Sequence, residues 1–256
     1  MYDMNDDAFF LDSCVIFNKI LHEDSIRIDK FVDDLLKHNI KCYVNKSILT
    51  ECDKKINDTF NFIIEILKDS LKSAFLEQFR IRRRDENNIL SYRDIQLLEQ
   101  IFLESFYIPR SRRRRQYTRP LISAIKSIEN YIVSFMEKEL NSNKDITLNY
   151  LFEEITKELM KYEIIIREKY EDIENEFQNI EYTNEVAPLE LVDELRHEIH
   201  RTDCNHLIAM QIYSGKHNLN SIFITTDYGI LCKKEVLEKT FKIKTSNPIY
   251  AINYIK

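Results

Sequence analysis

The chain has 256 residues, of which 44% are hydrophobic and 31% are charged, and its formal net charge is −6. A chain of this length and composition can bury a core, which excludes a disordered polymer. Its two glycines and four prolines exclude glycine-rich phosphate loops and dinucleotide fingerprints. No apolar stretch approaches the roughly 18 residues that cross a bilayer, so we expect no membrane association.

The first 55 residues alternate between strand-like and helix-like patterns. Apolar runs that end at Asp12 and at 40–46 predict strands, whereas 25–38 and the stretch that begins at Ser47 predict helices. The end of the chain repeats this style. It predicts helices over 188–199, 203–213 and 233–239, and strands over 222–227 and 241–246. This alternation favours an α/β fold with a central parallel sheet, whose sites form at the carboxyl ends of the strands.

Between these parts the strand signal disappears and long helical periodicity takes over. We therefore predict that residues 1–55 and 186–256 form one α/β domain and that 56–185 form an α-helical insertion. Its loops are predicted near 85–88, 108–119 and 141–145.

Four acidic residues occur where elements end or begin: Asp12, Glu51, Asp203 and Asp227. Each alone has an ordinary explanation as a turn residue, a helix N-cap or a solvated helix residue. If the four converge, their charges repel one another, and a fold tolerates them when a cation offsets the charge. Carboxylate oxygens suit Mg²⁺ or Mn²⁺, which can hold phosphate oxygens and activate water. Phosphodiester hydrolysis follows from that chemistry.

The same positions resemble the PIN-domain nuclease family. The likeness lies in FFLDSCVIF, SILTECDKKI, RTDCNHLIAM and FITTDYGIL, which occur in the family's order and context. The resemblance implies a Rossmann-like PIN domain and a catalytic, metal-binding quartet for one or two Mg²⁺ or Mn²⁺ ions, with two supporting hydroxyls. The quartet would be Asp12, Glu51, Asp203 and Asp227, and the hydroxyls would be those of Ser13 and Thr226. The 152-residue separation between Glu51 and Asp203 departs from a compact PIN domain and predicts the insertion.

Other residues near the motifs have simpler interpretations. His206 is interpreted as a hydrogen-bonded packing residue, and Cys14 and Cys204 as small buried hydrophobes. Haloacid-dehalogenase phosphatases also open with a strand and an Asp, but they need a second Asp where this chain has Cys14. The five cysteines include no C-x-x-C pair and no leader pattern is seen, so we expect a cytoplasmic protein.

Residues 80–119, the arginine-rich segment, hold eleven arginines, no lysine and five acidic residues. Guanidinium groups match phosphate geometry, and Tyr117 adds an aromatic ring for base stacking. We therefore predict nucleic-acid contact, with the candidate residues Arg112, Arg113, Arg114 and Arg115. A solvated charged face, or pairing with the acidic stretch 170–182, is the alternative.

The sequence as a whole predicts a metal-dependent nuclease that binds RNA and acts as an endoribonuclease. The alternative is a non-catalytic PIN-like module that binds RNA or protein. The residues leave open whether single-stranded or duplex DNA is the substrate instead, how many metal ions bind, and whether an inhibitory partner protein exists.

Overall fold

The computed structural model describes residues 7–20, 25–38, 40–66, 89–107, 120–142, 145–173, 177 and 180–251. The chain divides into two compact units. The sheet unit comprises Met1–Lys54 and Lys169–Lys256, and the helical unit comprises Lys55–Glu168.

Five parallel strands form the centre of the sheet unit. They are β1 (Asp7–Leu11), β2 (Lys41–Asn45), β3 (Ile180–Thr183), β4 (Asn220–Ile224) and β5 (Lys244–Ser246), in the spatial order β3-β2-β1-β4-β5. Phe9 in β1 lies opposite Cys42 in β2 and Ile222 in β4, and all three are buried. Continuous apolar runs of this kind are typical of parallel strands that are covered on both faces.

Helices connect these strands and form the helical unit. In chain order they are α1 (Ser13–Ile20), α2 (Ser25–Lys37), α3 (Lys46–Ile66), α4 (Tyr92–Tyr107), α5 (Pro120–Leu140), α6 (Leu148–Glu171), α7 (Leu189–Leu195), α8 (Arg201–His217), α9 (Tyr228–Leu231), α10 (Lys234–Phe241) and α11 (Pro248–Ala251). No helix in the described ranges is long and apolar enough to cross a membrane.

The strand order reverses between β1 and β4. From β1 the chain adds β2 and β3 on one side, and β4 and β5 lie on the other. The carboxyl-terminal residues of the two strands, Leu11 and Ile224, are register partners. In open parallel sheets the crevice at such a reversal is where ligands bind, so the residues after β1 and β4 stand at the expected place for a site.

The helical unit has an apolar core of its own. Leu98, Ile132, Ile155 and Leu159 are buried there. Helix α4 begins with a reciprocal cap, in which the Asp94 amide donates to Ser91 Oγ and the Ser91 amide donates to Asp94 Oδ2 at 2.9 Å.

The α/β class and the parallel sheet are confirmed. The boundary of the predicted insertion differs from the division observed, because β3 lies inside 56–185 and pairs with β2, and the sheet unit resumes at Lys169. Strand β3 has only four residues, IEYT, at the edge of the sheet, so it gives a weak pattern in the sequence. Residues 141–142 form a turn, whereas the predicted loops at 85–88 and 108–119 lie outside the described residues.

Candidate acidic site at the carboxyl edge of the sheet

Asp12 follows β1 and is only 5% exposed. Its amide donates to the carbonyl oxygen of Ile224 at 2.9 Å, so the pairing with β4 continues past the strand end. Oδ1 accepts from the Ser13 amide at 2.7 Å and from Ser13 Oγ at 3.4 Å, and Oδ2 accepts from Thr225 Oγ1 at 2.6 Å and Cys14 Sγ at 3.0 Å. Three donors and the Ser13 hydroxyl, which is shared with Glu51, therefore compensate the burial of this carboxylate.

Thr225 joins the segments that follow β1 and β4. Its hydroxyl donates to Asp12 and accepts from the Asp227 amide at 3.0 Å. The predicted supporting hydroxyl, that of Thr226, instead accepts from Asn18 Nδ2 at 3.3 Å. Sequence reasoning did not single out Thr225. Its position two residues before Asp227 was the available signal, since alternate residues of an extended segment share a side.

Glu51 lies on α3 and is bonded at both carboxylate oxygens. Oε1 accepts from Ser13 Oγ at 3.2 Å, and Oε2 lies 2.7 Å from Nε2 of His206 on α8. The other ring nitrogen, Nδ1, lies 3.1 Å from Ser47 Oγ. Ser47 and Glu51 are four residues apart on one helix, so both reach the same imidazole. His206 is buried and hydrogen-bonded as expected, but its partner belongs to the predicted quartet.

Asp203 lies in the first turn of α8, one turn before His206. Burial first, and then the negative charges of Asp12, Asp227 and Glu51, raise the pKa of its carboxyl group to about 7, and His206 partly offsets this rise. No donor among the described residues bonds to this carboxylate. The other three acids are thus near enough to raise the pKa of Asp203, and no hydrogen bond from a described residue offsets that repulsion.

Asp227 is both the N-cap of α9 and a neighbour of Asp203. Its Oδ1 accepts from the Gly229 amide, which gives the short helix a capped start. A Cβ at Gly229 would lie 2.9 Å from that same oxygen, so glycine leaves room for the carboxylate. The interpretation of Asp227 as a helix cap is therefore compatible with its interpretation as a site residue.

The donor set of the quartet fits a hard divalent cation, since it offers carboxylate oxygens whose mutual repulsion a cation would relieve. In the part of the chain that the structure describes, however, no three His, Cys, Asp or Glu side chains are grouped closely enough to hold a metal ion as they stand. Asp12 and Glu51 are held by hydrogen bonds to protein groups, whereas no described donor bonds to Asp203. Metal binding would therefore require the less restrained acids, Asp203 and Asp227, to move toward the other two.

The remaining candidates have varied surroundings. Cys14 is buried between Asp12 and Thr225, and burial together with the Asp12 charge raises the pKa of its thiol, which makes it a weak nucleophile. Cys204 is also buried, and burial raises the pKa of its thiol to about 11. Both act as packing residues, with Cys14 also donating to Asp12. The four arginines 112–115 lie outside the described residues.

No family model, no curated protein and no solved structure matches this chain. The similarity to PIN-domain nucleases therefore rests on the four sequence motifs alone.

Proposed function

We propose that the chain is a Mg²⁺- or Mn²⁺-dependent nuclease of the PIN-domain type that hydrolyses RNA phosphodiester bonds internally. The observation that carries the proposal is the convergence of acids at the carboxyl edge of a parallel sheet. Ser13 Oγ bonds to both Asp12 and Glu51, and Thr225 Oγ1 bonds to Asp12 and to the Asp227 amide. The charges of these three acids also raise the pKa of Asp203. Asp12 and Asp227 follow the two strands between which the strand order reverses. Acids gathered at a strand-order reversal are a specific arrangement, since structural caps have no need to influence one another.

The four acids of the chain would have different roles in this reaction. Asp12 and Glu51 are fixed by hydrogen bonds, which supports a role in holding and orienting the reacting groups. Asp203 and Asp227 keep oxygens that no described donor occupies, which supports a role as the more open ligands. A divalent cation bound there would supply the Lewis acid that polarises a phosphodiester and activates water.

The choice of RNA rests on the sequence. The arginine-rich segment carries a local net charge of +6 in a chain whose net charge is −6, and runs of guanidinium groups follow nucleic-acid backbones. Free thiols at all five cysteines fit a reducing compartment, where cytoplasmic RNA is the available substrate.

One observation favours a second candidate, a PIN-like module that binds RNA or protein without cleaving it. Within the described ranges the acids are not grouped as a ready metal site, and both oxygens of Glu51 are bonded to protein groups. A module of this kind would bind nucleic acid equally well in Mn²⁺ and in chelator.

The two candidates are separated by incubating the purified chain with labelled RNA, single-stranded DNA and duplex DNA, each with Mn²⁺, Mg²⁺ or chelator. The nuclease proposal expects internal cleavage of RNA that requires the metal and stops in chelator. Binding without cleavage in every metal condition would favour the module, and cleavage that persists in chelator would contradict the metal site. Cleavage of DNA alone would support the metal-dependent nuclease mechanism but would replace RNA with DNA as the substrate.

A further inference from the structure

We propose that His206 and Ser47 act as positioning residues that hold Glu51 in the orientation in which it binds a divalent cation. The inference rests on the proposed function, because it assumes that Glu51 is a metal ligand. It gives a role to a buried histidine that packing alone does not explain.

A continuous series of hydrogen bonds reaches Glu51 from the end of β2. Buried Asn45 donates from Nδ2 to the carbonyl oxygen of Glu185 at 3.0 Å, and its Oδ1 accepts from the Ser47 amide at 2.9 Å and Ser47 Oγ at 2.7 Å. Ser47 Oγ lies 3.1 Å from His206 Nδ1, and Nε2 lies 2.7 Å from Glu51 Oε2. The series thus connects the strand end, which belongs to the fold, to the carboxylate, which belongs to the site.

The His206 side chain is 3% exposed, whereas that of Glu51 is 19% exposed. The histidine is therefore the fixed partner and the carboxylate is the one that reaches toward solvent. The Ser47 hydroxyl has one proton, which it can give either to Asn45 Oδ1 or to Nδ1, while Nε2–H donates to Glu51. In either case both ring nitrogens lie within hydrogen-bond distance of a protein group, which holds the ring.

Glu51 is otherwise a long side chain with several accessible rotamers. Contacts at its two oxygens, from His206 and from Ser13, restrict it to one of them. In metal sites, the loss of a partner that orients a ligand typically weakens metal affinity by about 10–100-fold. We expect that loss here, because a freed Glu51 must be ordered again each time the cation binds.

The test measures Mn²⁺ affinity by calorimetry in the whole chain, with wild type, His206→Ala, His206→Gln and Ser47→Ala. The matched control is His217→Ala, since His217 is also on α8 but packs against Tyr213 with ring centroids 4.2 Å apart. We expect about 10–100-fold weaker binding in His206→Ala and a smaller loss in Ser47→Ala. Partial recovery is expected in His206→Gln, which keeps one N–H donor, with no change in the control.

A folded His206→Ala or Ser47→Ala variant that binds Mn²⁺ as tightly as wild type, or more tightly, would overturn the proposal. Tighter binding would mean that His206 competes with the cation for Glu51. If His206→Ala does not fold, Ser47→Ala and His206→Gln decide the question.

The positioning role is also measurable without metal, which separates its failure from that of the proposed function. Side-chain NMR couplings of Glu51 in chelator should report one dominant rotamer in wild type and averaging in Ser47→Ala. If wild type binds no Mn²⁺, the proposed function fails, and the positioning of Glu51 as a ligand fails with it whatever the couplings show. If wild type binds Mn²⁺ but Glu51 is equally ordered in Ser47→Ala, the positioning inference alone is wrong.

Discussion

The acidic quartet draws on the segments that follow β1 and β4 and on the first turn of α8. The carboxylates in these places differ in how many hydrogen bonds they accept. Asp12, after β1, is buried and accepts hydrogen bonds from Ser13, Cys14 and Thr225. Asp203, in α8, receives none from the described residues, and burial together with the neighbouring charges raises the pKa of its carboxyl group to about 7. The strand ends therefore compensate their charge locally, whereas the helix start does not.

This difference separates two kinds of acid within one site. Replacing Asp12 would break bonds that hold the segments after β1 and β4 together, so a loss of activity could reflect a loss of structure. Replacing Asp203 removes a charge without removing any hydrogen bond among the described residues. Asp203 is therefore the residue at which function can be tested with the least disturbance of the fold.

The largest expected effect is that of Asp203→Asn on metal-dependent cleavage. Under the proposed function we expect kcat to fall by about 10²–10³-fold, the range typical for removal of one group that stabilises transition-state charge. The control is Asp193→Asn, because Asp193 is a half-exposed acid on α7 that pairs with Arg196 on the surface. Equal activity of the two variants would remove Asp203 from the site.

Thr225→Val tests the hydrogen bonds that compensate the charge of Asp12. The substitution keeps the shape but removes the donor to Asp12 and the acceptor for the Asp227 amide, so the free energy of unfolding should fall by about 2–3 kcal/mol. Thr226→Val is the comparison, and its single bond to Asn18 at 3.3 Å should be worth less than about 1 kcal/mol. Urea denaturation in chelator measures both, and a larger loss in Thr226→Val would reverse the assignment of the two hydroxyls.

A smaller effect is expected at the two glycines. Gly229→Ala places a Cβ against Asp227 Oδ1 and should weaken the cap, lowering the free energy of unfolding by about 1 kcal/mol. Gly215→Ala, inside α8 where a Cβ meets nothing within 4 Å, should raise it by about 0.5–1 kcal/mol. Opposite signs in thermal or urea unfolding are the result we expect. If both variants change the free energy of unfolding in the same direction, Gly229 is not needed to leave room for the Asp227 carboxylate.

The sequence predicts much of the sheet unit because its main signals are local. Strands β1, β2 and β4 are buried apolar runs that stop at polar residues, and the helix containing Asp203 has a consecutive buried run over 206–210. Strand β3 was missed because it has only four residues, lies at the sheet edge and is defined by its pairing with β2. That pairing joins residues about 140 positions apart, which no local pattern reports.

The acids of the site were predictable as residues at element ends, but their hydrogen bonds were not. The contact of Thr225 with Asp12 depends on the register between β1 and β4. The contact of His206 with Glu51 depends on how α8 packs beside α3. Both contacts are set by the tertiary structure. The sequence shows which residues are polar, but it does not show which of them are in contact.

The most direct test of the account is the pH dependence of the stability difference between wild type and Asp203→Asn in chelator. An unfolded carboxyl group releases its proton near pH 4, whereas the folded Asp203 holds it up to about pH 7. Between these values the folded state binds more protons, so the contribution of Asp203 to the free energy of unfolding falls as the pH rises. Asn at this position does not ionise, so the variant does not lose stability in this way.

Asp203→Asn should therefore match wild type near pH 4 and exceed its free energy of unfolding by on the order of 1–2 kcal/mol at pH 8, after discounting for partial exposure. Asp193→Asn should show no such trend. Urea denaturation from pH 4 to pH 8 gives the curve. A difference that is flat with pH, or a variant less stable than wild type at pH 8, would mean that the four acids do not share one electrostatic site.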